Sequence, residues 1–88
     1  MRLKITVADA GNVTVPAYLT LLAKGFTVHR ERAAEGPQEV WYAENESCRL
    51  SAEDPVTLLG LATLVETRGP CWKASDEQID SFVREFGY

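Results

Sequence analysis

FTVHRERAAEGPQEVWYAENESCRLS, residues 26–51, decides the fold class. Phe26 and Val28 alternate with Thr27, His29 and Glu31, the period of a strand with one dry and one wet face, and the stretch turns polar at Arg30 and Arg32. Gly36-Pro37 interrupts it, because glycine admits backbone angles that other residues avoid and proline cannot extend a central strand. Val40, Trp41 and Tyr42 then carry the β-branched and aromatic character of a second strand. Asn45, Glu46 and Ser47 make the next turn, and residues 48–51 are short enough for an edge strand. Three strands joined by short turns read as an antiparallel meander.

Upstream, Leu3, Ile5 and Val7 alternate with Arg2, Lys4 and Thr6, which predicts a further strand over residues 3–7. A turn at residues 9–12 and a short returning strand at 13–15 are expected before the period changes. Pro16 fits the first position of a helix over residues 17–24, and Gly25 the position just past its end. Downstream, Asp54-Pro55 is an N-cap followed by a proline, and Gly69 closes the run. Within that helix Val56, Leu59 and Thr63 share one stripe while Leu58, Leu61, Leu64 and Val65 share another, so it is expected to be buried on two sides, with Leu59 in the core. Gly60 costs about 1 kcal/mol against alanine in mid-helix and is expected to admit another backbone. After Arg68-Gly69-Pro70-Cys71-Trp72, Ser75 and Gln78 form a capping box, and Ile79, Phe82, Val83 and Phe86 make a stripe by which the last helix is expected to pack, Phe82 in the core. Gly87 ends it. The expectation is one α+β domain over residues 1–88, a three- or four-stranded, mostly antiparallel sheet with two or three helices packed on one face.

Composition narrows the function classes. With 45% apolar and 25% charged residues in 88, the chain is neither disordered nor a membrane protein by composition, and its small size means that most large apolar side chains are needed for packing. A net charge of −4 has the wrong sign for binding phosphates, so no nucleic-acid partner is expected. Up to Glu44 the charges cancel: Arg2, Lys4, Lys24, Arg30 and Arg32 face Asp9, Glu31, Glu35, Glu39 and Glu44. The acidic excess therefore lies from Asn45 onward and can steer the molecule toward a basic partner. Residues 10–23, the longest uncharged stretch, contain Gly11, Asn12 and Pro16 and fall short of the about 20 apolar residues that span a bilayer. Asp9 and Asn12 also interrupt any signal-peptide reading, so a cytoplasmic protein with no membrane partner is expected.

Cys48 and Cys71 lack the spacing of a zinc or redox pair, so neither a metal nor a disulfide framework is expected, and no cofactor. Glu53-Asp54 and Asp76-Glu77 supply the paired carboxylates that acid–base chemistry uses, yet both sit at helix starts, where capping and the helix dipole already account for them. The more informative group is the wet face of the sheet. If Phe26, Val28, Leu3, Ile5 and Val7 face the helices, then Lys4, Thr6, Thr27, His29 and Glu31 face away, and one of the adjacent pair Trp41 and Tyr42 joins them. An aromatic amid mixed charges is the composition of an interface with a polar rim, and equally of a solvated face with one amphipathic ring. Arg30 and Arg32 allow an anion site, although Glu31 and Glu35 offer local ion pairs.

The run Asp54-Pro55-Val56-Thr57-Leu58-Leu59-Gly60-Leu61, with Arg68-Gly69, Trp72 and Ala74-Ser75-Asp76-Glu77, resembles a pattern in small bacterial α+β proteins, as does Pro16-Ala17-Tyr18 leading to Gly25-Phe26. The resemblance covers most of the chain and implies a bacterial, soluble, stand-alone domain, with no activity, cofactor or catalytic residue. The expected function is a non-enzymatic protein-binding domain, either a homodimer or an inhibitor- or immunity-like binder of a basic protein, contacting it through His29, Glu31, Trp41 and Tyr42. The alternative is a small hydrolase or ligand-binding enzyme subunit that uses carboxylates or Cys71 in a cleft.

Overall fold

In a computed structural model the chain is described over residues 3–9 and 12–87. The order is α1 (Thr14–Ala23), β1 (Thr27–Arg32), β2 (Glu39–Glu44), β3 (Arg49–Ala52), α2 (Pro55–Arg68) and α3 (Asp76–Phe86). The class is α+β. The strands form an antiparallel meander in the order β1-β2-β3, in which the rows Val28–Ala43–Leu50 and Arg30–Trp41–Ala52 run across the sheet. α1 and α2 pack on each other and on this side of the sheet. Leu21, Phe26, Ala43, Leu50, Leu58 and Ala62 form the buried core between the layers.

Local chemistry fixes the joints. Gly25, at φ 92°, lets α1 end in a left-handed turn: its N–H donates to the Leu22 carbonyl and the Phe26 N–H to that of Leu21. Phe26 thereby lands on Leu21, and the helix end is sealed by the same two residues that enter the core. Ala33 N–H closes the β1–β2 loop on the Gln38 carbonyl. The Asn45 carboxamide oxygen accepts from the N–H groups of Ser47 and Cys48, both at 2.8 Å, and makes the β2–β3 turn. Asp54 caps α2, one carboxylate oxygen accepting from the Thr57 N–H at 2.7 Å and the other from its hydroxyl at 3.1 Å.

Several expectations need correction. Residues 3–7 form no strand: Leu3, Ile5 and Val7 are 89%, 85% and 80% exposed, and the sheet of the described residues has three strands. Alternation states which side of a strand can be buried, but a strand also requires a ladder partner, and the inner face is already closed by α1 and α2. The turn read at residues 9–12 falls partly on Ala10 and Gly11, outside the described residues. Val13 to Val15 do not return as a strand: Val13 is the N-cap of α1, its carbonyl accepting from Ala17 N–H at 3.0 Å, and Pro16 is the third helical residue rather than the first. The β preference of Val and Thr yields to the docking of Ala17 and Leu21, one turn apart, in the core.

α2 is buried on one flank only. Pro55, Leu58 and Ala62 are sealed, and Leu59, Leu61 and Val65 lie partly buried against the core, while Val56 and Leu64 are exposed. The largest departure is α3. Its capping box is present, yet it buries no residue, and Ile79, Val83 and Phe86 remain 48%, 39% and 66% exposed. Phe82 is half-exposed rather than core and packs at a tilt against Phe86, ring centroids 5.0 Å apart at 45°. An amphipathic period requires only that some apolar surface cover the stripe; it does not place that surface in the same chain.

Candidate protein interface

Among the described residues no helix covers the outer side of the sheet, where the row His29–Tyr42–Ser51 runs between Thr27–Glu44–Arg49 and the pair Glu31–Val40. Tyr42 is central. Its ring stacks on that of His29, centroids 5.0 Å apart at 18°, and the Arg49 guanidinium lies 4.7 Å from its centroid. Glu31 approaches His29 Nε2 to 3.3 Å, a contact that becomes an ion pair when the imidazole is protonated. Glu44 reaches Arg49 at 3.9 Å, and the Thr27 hydroxyl donates to the Glu44 carbonyl at 3.2 Å. Cross-strand neighbours thus hold an amphipathic ring flat, with both signs of charge around it.

Of the four residues read as a contact group, the fold brings His29, Glu31 and Tyr42 together and puts Trp41 on the other side. The odd–even alternation of β2 decides this: Ala43 is core, so Trp41 faces the helices and Tyr42 faces out. Trp41 packs against the core, with the Arg30 guanidinium 5.3 Å from its ring, and Arg30 in turn pairs with Glu39 at 3.2 Å. Of the two arginines read as an anion site, Arg30 is thus engaged with a carboxylate and a ring. Arg49 was missed as a member of the outer group. Its place beside Leu50 in an alternating strand carries the signal, but the register that sets it over Tyr42 is a tertiary fact.

A second surface has a different chemistry. Along the outer flank of α2, Val56, Leu59, Gly60, Thr63 and Leu64 line an open groove of about 470 Å³ that ends at Arg68, the only charge in its wall. At Gly60 a Cβ would meet nothing within 4 Å, so the glycine admits no backbone of its own chain; it leaves a notch in the groove floor. Beyond the groove the Arg68 Nε–H donates to the Trp72 carbonyl at 2.8 Å, and Arg68 with Ala74, Gln78 and Ile79 lines the corner between α2 and α3. α3 then presents Ile79, Val83 and Phe86, with Asp76, Glu77, Asp80 and Glu85 on the same helix.

The residues of the alternative chemistry are placed as follows. Asp54 is engaged by Thr57, and Asp76 and Glu77 lie in the first turn of α3, where they complement its dipole. Cys71 is exposed in the α2–α3 connection and Cys48 is half-buried behind the β2–β3 turn. Among the described residues no three His, Cys, Asp or Glu side chains are grouped to hold a metal ion, and no helix is long and apolar enough to cross a membrane. An open groove of about 630 Å³, lined in part by Lys24, Thr27, Glu44 and Ser47, lies beside the 2.8 Å ion pair of Lys24 with Glu66. Comparison with protein-family models, with curated proteins and with solved structures finds no match to this chain.

Proposed function

We propose that the protein is a small protein-association module whose contact is the apolar surface of α2 and α3. The observation that supports this most is α3 itself, a doubly capped helix with Ile79, Val83 and Phe86 in water. A helix of 11 residues is marginal alone, and tertiary packing of its apolar face normally stabilises it. The matching surface therefore belongs to a partner. Its acids ask of that partner an apolar patch with a positive rim, since rim charges govern encounter and register while the apolar centre carries affinity.

The test is capture of co-eluting protein, from the lysate of the native host, on the immobilised chain and on Ile79→Asp/Phe86→Asp, with circular dichroism to verify that the variant is folded. The module reading expects a defined protein, this chain or another, to be retained by the first and lost by the second. Equal retention by both overturns it.

The outer sheet face is the second reading, favoured by the fixed orientation of Tyr42 between His29 and Arg49. It expects Tyr42→Ala to release the partner and the α3 variant to keep it.

A further inference from the structure

We infer that the partner of this surface is a second copy of the chain, each copy seating its α3 in the α2 groove of the other. The inference rests on the association reading above and names its occupant. Both halves of the contact are present in one chain: an apolar groove about four helical turns long on α2, and on α3 an apolar stripe of matching period. Their charges are complementary. The groove ends at the cation Arg68, with Lys73 just beyond, whereas α3 carries Asp76, Glu77, Asp80 and Glu85 against Arg84. Glu66, the acid of the α2 C-terminal turns, is already paired with Lys24.

The connection favours an exchange over closure within one chain. Gly69, at φ 77°, donates its N–H to the Val65 carbonyl, Pro70 follows with its fixed φ, and Arg68 ties Trp72. These contacts hold α3 away from its own groove, with the Arg68 side chain in the corner that a helical hairpin would close. An exchange between two copies keeps them and fills both grooves, giving a closed two-fold contact.

The molecule exposes more surface than a compact fold of its mass. The chain exposes 7480 Å², whereas a folded monomer of 9.8 kDa exposes roughly 5,200 Å². The radius of gyration is 15.9 Å, against roughly 12 Å for a compact chain of this length. Both the exposed residues 3–9 and the exposed faces of α2 and α3 contribute to that excess; a stable specific interface buries about 800 Å² per partner.

The deciding experiment is disulfide trapping with the full chain in a Cys48→Ala/Cys71→Ser background. Mixing a Thr63→Cys chain, altered in the groove wall, with a Val83→Cys chain under mild oxidation is expected to give a disulfide-linked heterodimer, and sedimentation of the unmodified chain is expected to give twice 9.8 kDa as concentration rises. Ile79→Asp/Phe86→Asp is expected to weaken that dimer at least about tenfold, the scale of removing central apolar anchors. A monomer at the highest soluble concentration, or an intramolecular disulfide in the dilute Thr63→Cys/Val83→Cys chain, overturns the inference. If such a monomer still captures a different protein through Ile79 and Phe86, the association reading survives without the second copy. If the α3 variant changes no capture, both fall.

Discussion

Leu58 and Phe86 are both apolar residues on helices of regular period, and the fold treats them oppositely. Leu58 is fully enclosed by the sheet and α1, so Leu58→Ala should lower stability by about 2–5 kcal/mol in urea unfolding. Phe86→Ala, from a site 66% exposed, should cost less than about 1 kcal/mol at a dilution where the chain is monomeric. Gly60 gives the more pointed test. Its Cβ would meet nothing within 4 Å, so Gly60→Ala should raise monomer stability by about 0.4–1 kcal/mol through helix propensity and a less free unfolded chain. The same methyl fills the notch in the groove, so it should weaken self-association, read by sedimentation. One substitution moving the two quantities in opposite directions separates a role in packing from a role in contact. At this scale the sequence was legible where chemistry is local: Asp54, Gly25 and the Ser75–Gln78 box act as their types and spacings require. It was not legible for Trp41 against Tyr42, because adjacent strand residues differ only in which side the core lies on.

Elements follow the same division. The meander, α2 and α3 lie close to where turns, caps and periods place them, since those signals reside within a few residues. The strand expected at residues 3–7 and the packing of α3 depend on what lies opposite, and no local pattern encodes that. Leu3, Ile5 and Val7 carry a strand alternation with no burial to support it. Leu3→Ser/Ile5→Ser/Val7→Ser should therefore leave the unfolding free energy, measured in urea, within about 0.5 kcal/mol of the parent, as surface substitutions do. A loss of 2 kcal/mol or more, the cost of truncating buried aliphatic side chains, would mean that this segment packs as a fourth strand. For α3 the cap is the informative handle. Ser75 Oγ accepts from the Gln78 N–H, and Gln78 Oε1 accepts from the Ser75 N–H. Ser75→Ala should cost the helix about 1 kcal/mol. Because α3 is not packed in the monomer, that loss should appear as faster amide exchange within α3 and not as a lower global midpoint.

At the scale of the whole molecule, charge separates the two kinds of partner. The chain carries −4, and its acidic excess lies from Asn45 onward, with Asp76, Glu77, Asp80 and Glu85 on the helix that makes the proposed contact. Two copies approaching each other therefore repel at long range, while the cations Arg68 and Lys73 act only once α3 is seated. Salt screens the long-range term first, since charges in water lose most of their interaction beyond about 8 Å at physiological ionic strength. Pairs enclosed in an interface are screened less. Self-association should thus strengthen between low and moderate salt, visible as a sedimentation-derived dimer constant that tightens with added sodium chloride, and the apolar centre should hold it there. A basic partner of the inhibitor-bound kind gives the opposite sign: its attraction to the acids is the long-range term, so its association rate should fall as salt rises. Charge reversal sharpens the contrast. Asp80→Lys removes repulsion between copies and attraction to a basic protein together, so it should speed dimer formation in low salt and slow capture of a cationic partner. A dimer constant that weakens steadily with salt would instead place the cations and acids at the centre of the contact, and Ile79, Val83 and Phe86 at its edge.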